Sequence, residues 1–413
     1  MKRYIVNISG LILFIFFISG CAANRYTNKN NYVRSEKNFT ENANLIRVLL
    51  KNENENISYV VRAPIILYDE NSPVAEVDAG NRLDFYKEGN GLALNIRSRN
   101  FAGKFFLLKP AKNSNSLEYN GKKYAGILKV VLSENNINVI NQVSLEDYLK
   151  GVLPAEMPIG KGDEYFEALK AFAICARTYA VTKLNSLNSF DVYLDTRDQV
   201  YDGINRETEI SNRAVDETKN MILTYDGRPA TVFYHASCGG HTADVKDVFP
   251  GNDEPYLKGV QDGDPPNCAI APNFKWTENY SSEKFINRLR ASGYLNNGNY
   301  TLQNVSVESR NSSGRVENLL VSLKSIEGDT KNITITGNKI RSVIRTSDNR
   351  EILRSTMFEI NFNGSDVIIN GVGNGHGVGL CQWGAIYQST QGKNYMQILS
   401  FYFPGTQIGK IND

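Results

Sequence analysis

Between residues 45 and 143 apolar and polar residues alternate over short runs, a pattern that commits this part of the chain to β-structure. "LIRVLL", "SYVVRA", "PIILY", "RLDFY", "ALNIRS", "KFFLL" and "GILKVVL" all read as strands, with Asn, Gly and Asp turn residues between them. The alternation returns over residues 303–362. Helical spacing is read in "SLEDYLKGVL", in Asp163–Leu184, in 207–219 and in a stretch near 382–391. The second of these has the stripe Phe166, Leu169, Ala173, Ala176 and Ala180, with Asp163 placed as its N-cap. "MILTYDGRPATVFYHAS" reads as a hairpin turning at Asp226-Gly227. The expected fold class is α+β, mostly β, with several helices packed around a cleft.

The ends of the chain read differently. Lys2 and Arg3 precede an apolar run, Leu11–Ile18, and then Ser19-Gly20-Cys21. That order matches a bacterial lipoprotein signal over 1–21, with Cys21 as the lipidated residue. Residues 22–44 are polar, Asn- and Lys-rich and without a core pattern, as expected of a flexible tether. A β-rich region is expected over 45–120, and 121–410 holds every motif that carries chemistry. The protein is therefore expected in the cell envelope, lipid-anchored outside the cytoplasmic membrane. Its net charge of +2 offers no field for a nucleic-acid partner.

Four segments carry candidate chemistry. In "VSLEDYLKGVLPAEMP", Glu156 sits among Val152, Leu153, Ala155 and Met157. Desolvation favours the acid form of such a carboxyl, which can then donate a proton. Glu146 and Asp147 are placed to complement the helix dipole. "DTRDQVYDG" lines up Asp195, Gln199 and Tyr201, groups suited to sugar hydroxyls. "YHASCGGHT" brings His235, Cys238 and His241 together, and Cys268 follows at loop distance. Cys238, His241 and Cys268 make a candidate structural zinc set, with His235 or Cys381 as the fourth ligand. A Cys238–Cys268 disulfide is the alternative. In "GVGNGHGVGLCQWGA", alternate glycines allow close backbone approach around His376, and Trp383 offers an indole face to a sugar.

In this order, "SLEDYLKGVLPAEMP", "EALKAFAICARTYAV", "DTRDQVYDG", "VFYHASCGGHTADVKDVF", "ILRSTMF" and "GNGHGVGLCQWGA" resemble the SpoIID/LytB (stage II sporulation protein D) family. The resemblance runs from about residue 120 to 407. It implies a catalytic domain over 121–410 with a substrate cleft. The implied activity is lytic transglycosylase: cleavage of peptidoglycan glycan strands, intact or peptide-stripped, to 1,6-anhydro-muramic products. Glu156 falls on the catalytic position. Gln199, Tyr201 and His376 fall on cleft positions, while Arg177 and Tyr179 fall on a packed helix. The resemblance implies no metal requirement for the chemistry. Many relatives have Ser at the position of Cys381, which leaves Cys381 free to join a metal set. The alternative function is a peptidoglycan-binding module that stimulates a cell-wall amidase. A zinc-dependent amidase would need an open metal position.

Overall fold

The computed structural model describes residues 45–411, apart from 71, 112, 113 and 161. Cys21 and the tether at 22–44 lie outside the described residues. The alternating N-terminal runs do form strands. β1 (Leu45–Glu53) pairs antiparallel with β2 (Asn136–Ser144), from Leu45↔Ser144 to Glu53↔Ile137, with a shift of register between Leu49 and Lys51. Both belong to one seven-stranded sheet that also takes in Ile65–Asp69, Phe105–Pro110 and Ile127–Ser133. Ile46, Val48 and Val139 point into a hydrophobic core that continues as far as Ile411. Strand pairing and core packing both cross residue 120.

α1 (Leu145–Glu156) starts where β2 stops. Ser144 caps it, its Oγ accepting from the Asp147 N–H at 3.1 Å. α2 (Phe166–Lys183) is the central helix, buried almost throughout from Ala168 to Val181. Its alanines let neighbours approach closely. Asp163 does not cap α2. It lies in a 3₁₀ turn, Gly162–Tyr165, and pairs with Arg213 at the surface. Arg177 is fully buried in α2 and forks onto Glu146 at 3.0 and 2.7 Å. Glu146 thus neutralises a buried guanidinium, a larger task than dipole complementation.

The hairpin at Asp226-Gly227 is present but short, Met221–Tyr225 against Arg228–Pro229. The chain then forms a separate strand, β3 (Tyr234–His235), parallel to β4 (Leu380–Cys381), with Tyr234↔Leu380 and His235↔Cys381 in register. β4 leads directly into α3 (Gln382–Thr390).

Between β3 and β4 lies a part of the chain with its own core. Strands Lys275–Ser281, Phe358–Phe362 and Asp366–Val372 make one sheet. Tyr300–Arg310, Val316–Ser325 and Thr330–Thr336 make another. Their apolar residues, from Trp276 to Ile369, form a second hydrophobic cluster distinct from the first. The alternation over 303–362 therefore builds an inserted lobe, not more of the main sheet. Among the described residues no helix is long and apolar enough to cross a membrane.

Candidate functional site around Glu156

Glu156 is the last residue of α1 and is partly exposed. Two protein groups address its carboxyl. The Val200 N–H donates to Oε1 at 2.6 Å. The Tyr234 phenol stands beside it, with a buried hydroxyl that otherwise completes no hydrogen bond of good geometry. Burial pushes the Glu156 carboxyl above its ordinary value, and the Val200 and Tyr234 contacts offset only part of that rise. The Glu156 carbonyl oxygen, orphaned at the helix end, accepts from Gln382 Nε2 at 3.1 Å. Three elements far apart in sequence thus meet at one residue: α1, β3 and the start of α3.

The loop that supplies Val200 is held from several sides. Asp198 accepts from the Tyr179 hydroxyl and the Tyr193 N–H, both at 2.8 Å. The Tyr201 N–H donates to Leu194 O at 3.1 Å. This loop corrects two expected sugar contacts. Gln199 has no exposed surface. Its amide accepts from Tyr148 at 3.1 Å and donates to Ala176 O at 3.4 Å. Tyr201 is 1% exposed, its ring packed on Tyr124 and Tyr148 and its hydroxyl on Asn141 at 2.9 Å. Both residues build the wall behind Glu156 and offer nothing to a ligand.

His376 and Trp383 keep some exposure. The His376 ring lies among Phe233, His235 and Phe249. Burial holds it neutral, far below the usual histidine range. The Val378 N–H donates to Nδ1 at 3.1 Å, which leaves the proton on Nε2. Trp383 packs against the main core, and its backbone N–H donates to Ala236 O at 3.0 Å. The alternate glycines around His376 do permit close approach, but to protein. A Cβ at Gly375 would lie 2.5 Å from His235 Cβ, and one at Gly377 would lie 2.4 Å from Arg315 Cζ. Both have positive φ. A cavity of about 620 Å³ opens elsewhere, on the inserted lobe between Lys275, Trp276, Arg310, Met357 and Phe358. None of its walls comes from the Glu156 site.

The cysteines converge, though not with the partners expected. Sγ of Cys238, Cys268 and Cys381 and a carboxylate oxygen of Asp262 all lie within 4.8 Å of one another, and all four residues are buried. Cys238 and Cys268 are not bridged; their sulfurs are 3.4 Å apart, beyond the roughly 2.05 Å of a disulfide. His241 is outside the set, with Nδ1 on Thr242 O at 2.6 Å. His235 is outside it as well. Its Nδ1 faces Val378 O at 3.1 Å, while Nε2 is buried without a partner. Burial holds His235 neutral, its pKa lowered to about 3. Hydrogen bonds from Cys238 and Cys381 hold the Cys268 thiol below its usual range. Burial pushes Asp262 up to about 7. Asp262 was the missed member. Its place six residues before Cys268 in "DGDPPNC" was the available signal.

Comparison with known proteins follows this geometry. Residues 133–225, which supply α1, α2 and the Val200 loop, match the family model described as Stage II sporulation protein (SpoIID). The chain belongs to the SpoIID family. Residues 267–379, essentially the inserted lobe, match a model described as a domain of unknown function (DUF8618). A protein of Brachyspira hyodysenteriae described as uncharacterized is 37% identical over 297 residues, 71% of this chain and 74% of that one. The amidase enhancer of Bacillus subtilis is 28% identical over 382 residues, 81% of this chain but 52% of the enhancer. Stage II sporulation protein D of the same organism is 28% identical over 288 residues, 66% and 76% of the two chains. Membership in the SpoIID family, with the amidase enhancer among its relatives, points to a role at the cell wall.

Proposed function

We propose that this chain is a lytic transglycosylase acting on peptidoglycan glycan strands, with Glu156 as both acid and base. The observation that supports it is a lone, partly exposed carboxyl made more basic by burial at the junction of three elements. The influences on Glu156 are burial, Val200 and Tyr234. No second carboxylate among the described residues is one of them. A hydrolase needs a partner carboxylate to activate water or form a covalent intermediate. A transglycosylase does not. The Glu156 acid protonates the glycosidic oxygen as the bond from the muramic C1 to that oxygen breaks. The carboxylate then takes the proton of the muramic 6-hydroxyl as O6 bonds to C1. The proton lost from O6 balances the one given to the leaving oxygen, and no water is consumed.

A second reading has its own support. Similarity to the amidase enhancer over 81% of the chain favours a glycan-binding module that stimulates a cell-wall amidase. The N-terminal signal would tether either protein by a lipid on Cys21. Mass spectrometry of soluble products from intact and peptide-stripped peptidoglycan separates the two. The first reading expects anhydro-muramic fragments from wild type and none from Glu156→Gln. If neither releases fragments but both increase release by an added amidase, the enzyme reading is wrong.

A further inference from the structure

Three segments of chain deliver four metal-type donors to one buried point. Cys238 follows β3, and Cys381 ends β4. Asp262 and Cys268 come from the loop between them, where the Cys268 N–H donates to Asp262 Oδ2 at 3.1 Å. Cys238 Sγ lies 3.3 Å from the same oxygen. The other Asp262 oxygen accepts from the Tyr402 hydroxyl at 2.6 Å, an outer partner of the kind that orients ligating carboxylates. The Ser237 hydroxyl, buried and otherwise unpartnered, faces Cys268.

Charge supplies an independent argument. Four ionised donors around a divalent ion leave two negative charges uncompensated in a dry interior. Arg315 reaches in from the inserted lobe, 1% exposed, donating to Cys238 O at 2.6 Å and His241 O at 2.8 Å, with Nε buried and unpartnered. A buried cation with no carboxylate partner of its own is costly unless negative charge stands nearby. The three cysteines and Asp262, ionised around a metal, would supply that charge, and Gly377 leaves the room for the guanidinium.

We propose that Cys238, Asp262, Cys268 and Cys381 form a closed structural site for a zinc-class divalent ion, which clasps β3 to β4 behind Glu156. Thiolates select soft metals of this class, and four protein donors leave no open position for catalysis. The clasp fixes both strands that serve Glu156. Tyr234 is four residues before Cys238, and Gln382 follows Cys381 directly. This inference does not depend on the transglycosylase reading, and its test uses no substrate.

The full chain, purified after expression in zinc-supplemented medium, is assayed for metal by mass spectrometry and reloaded with cobalt. About one zinc per chain is expected, together with intense tetrahedral cobalt absorption and a thiolate charge-transfer band. Asp262→Ala and Cys381→Ser should each lower zinc content at least severalfold, while His241→Ala keeps it. Metal removal should speed amide exchange in 234–238 and 380–383. Metal-free wild type with no cobalt spectrum overturns the proposal, and so does a native Cys238–Cys268 disulfide. Full loading of Asp262→Ala alongside an empty His235→Ala would move the fourth ligand to His235 and overturn this assignment.

Discussion

A carboxylate at the end of a helix faces the negative pole of the helix dipole, so the position itself resists ionisation. Glu156 ends α1, and burial adds to the effect. The stability consequence has a definite sign. The folded-state pKa lies above the unfolded one, so the stabilisation from Glu156 is full below the ordinary value of 4.5 and is lost as pH rises through the raised folded value. Glu156→Gln removes the charge and keeps an acceptor for Val200. It should melt above wild type at pH 8, and the gap should close by pH 4. Each tenfold preference for the acid form corresponds to about 1.4 kcal/mol. Calorimetry at the two pH values checks this, and a variant that melts lower at pH 8 would mean the carboxylate is stabilised in place. Glu156 was legible because a charge among apolar residues stands out. Its partners were not. Val200 acts through a backbone N–H that any residue but proline would provide, and Tyr234 bears no charge to draw notice. Gln199 and Tyr201 misled because their polar groups, read along the chain, look available; only tertiary packing shows them used.

At the scale of elements, α1 and the 199–203 loop are set by how closely they approach. A Cβ at Gly151, inside α1, would lie 2.5 Å from Gly203 O and 2.5 Å from the Tyr201 ring. Alanine would gain roughly 1 kcal/mol of helix propensity over glycine. Overpacking costs about 1–3 kcal/mol, and a backbone oxygen cannot rotate away as a side chain can. The clash should win. Gly151→Ala is expected to destabilise the chain by about 1–2 kcal/mol and to shift the loop so that Val200 leaves Glu156. Urea titration and proton exchange at Val200 test this, and a fully stable variant with Val200 still protected would refute it. α1, α2 and α3 were readable from spacing and lie where periodicity put them, but the helices Ser282–Ala291 and Tyr395–Tyr402 were not. The starts of the first three were less readable. Asp163 looks like a cap, but the chain makes a 3₁₀ turn there and α2 begins at Phe166 without a side-chain cap.

The described residues form two cores, and this was the least legible feature. Alternation in 303–362 is the same period of two as in 45–143, and a period cannot say which sheet a strand joins. What divides the chain is long-range pairing: β3 with β4, partners 146 residues apart, closing the main core around an excursion with its own. Trp276 shows how the second core is built. Its ring lies where a Gly371 side chain would be, 2.1 Å from the Cβ position, and its indole N–H donates to Gly373 O at 2.9 Å. Trp276→Ala opens a cavity and orphans that carbonyl, at a cost of about 3–5 kcal/mol. With separate cores, the damage should stay in the insertion. Hydrogen exchange should quicken across 300–336 and 358–372 while β1 and β2 keep their protection. Equal loss of protection in β1 and β2 would show one cooperative unit, coupled through contacts such as Arg315 to Cys238 O, and would remove the ground for treating the insertion as a second folding core.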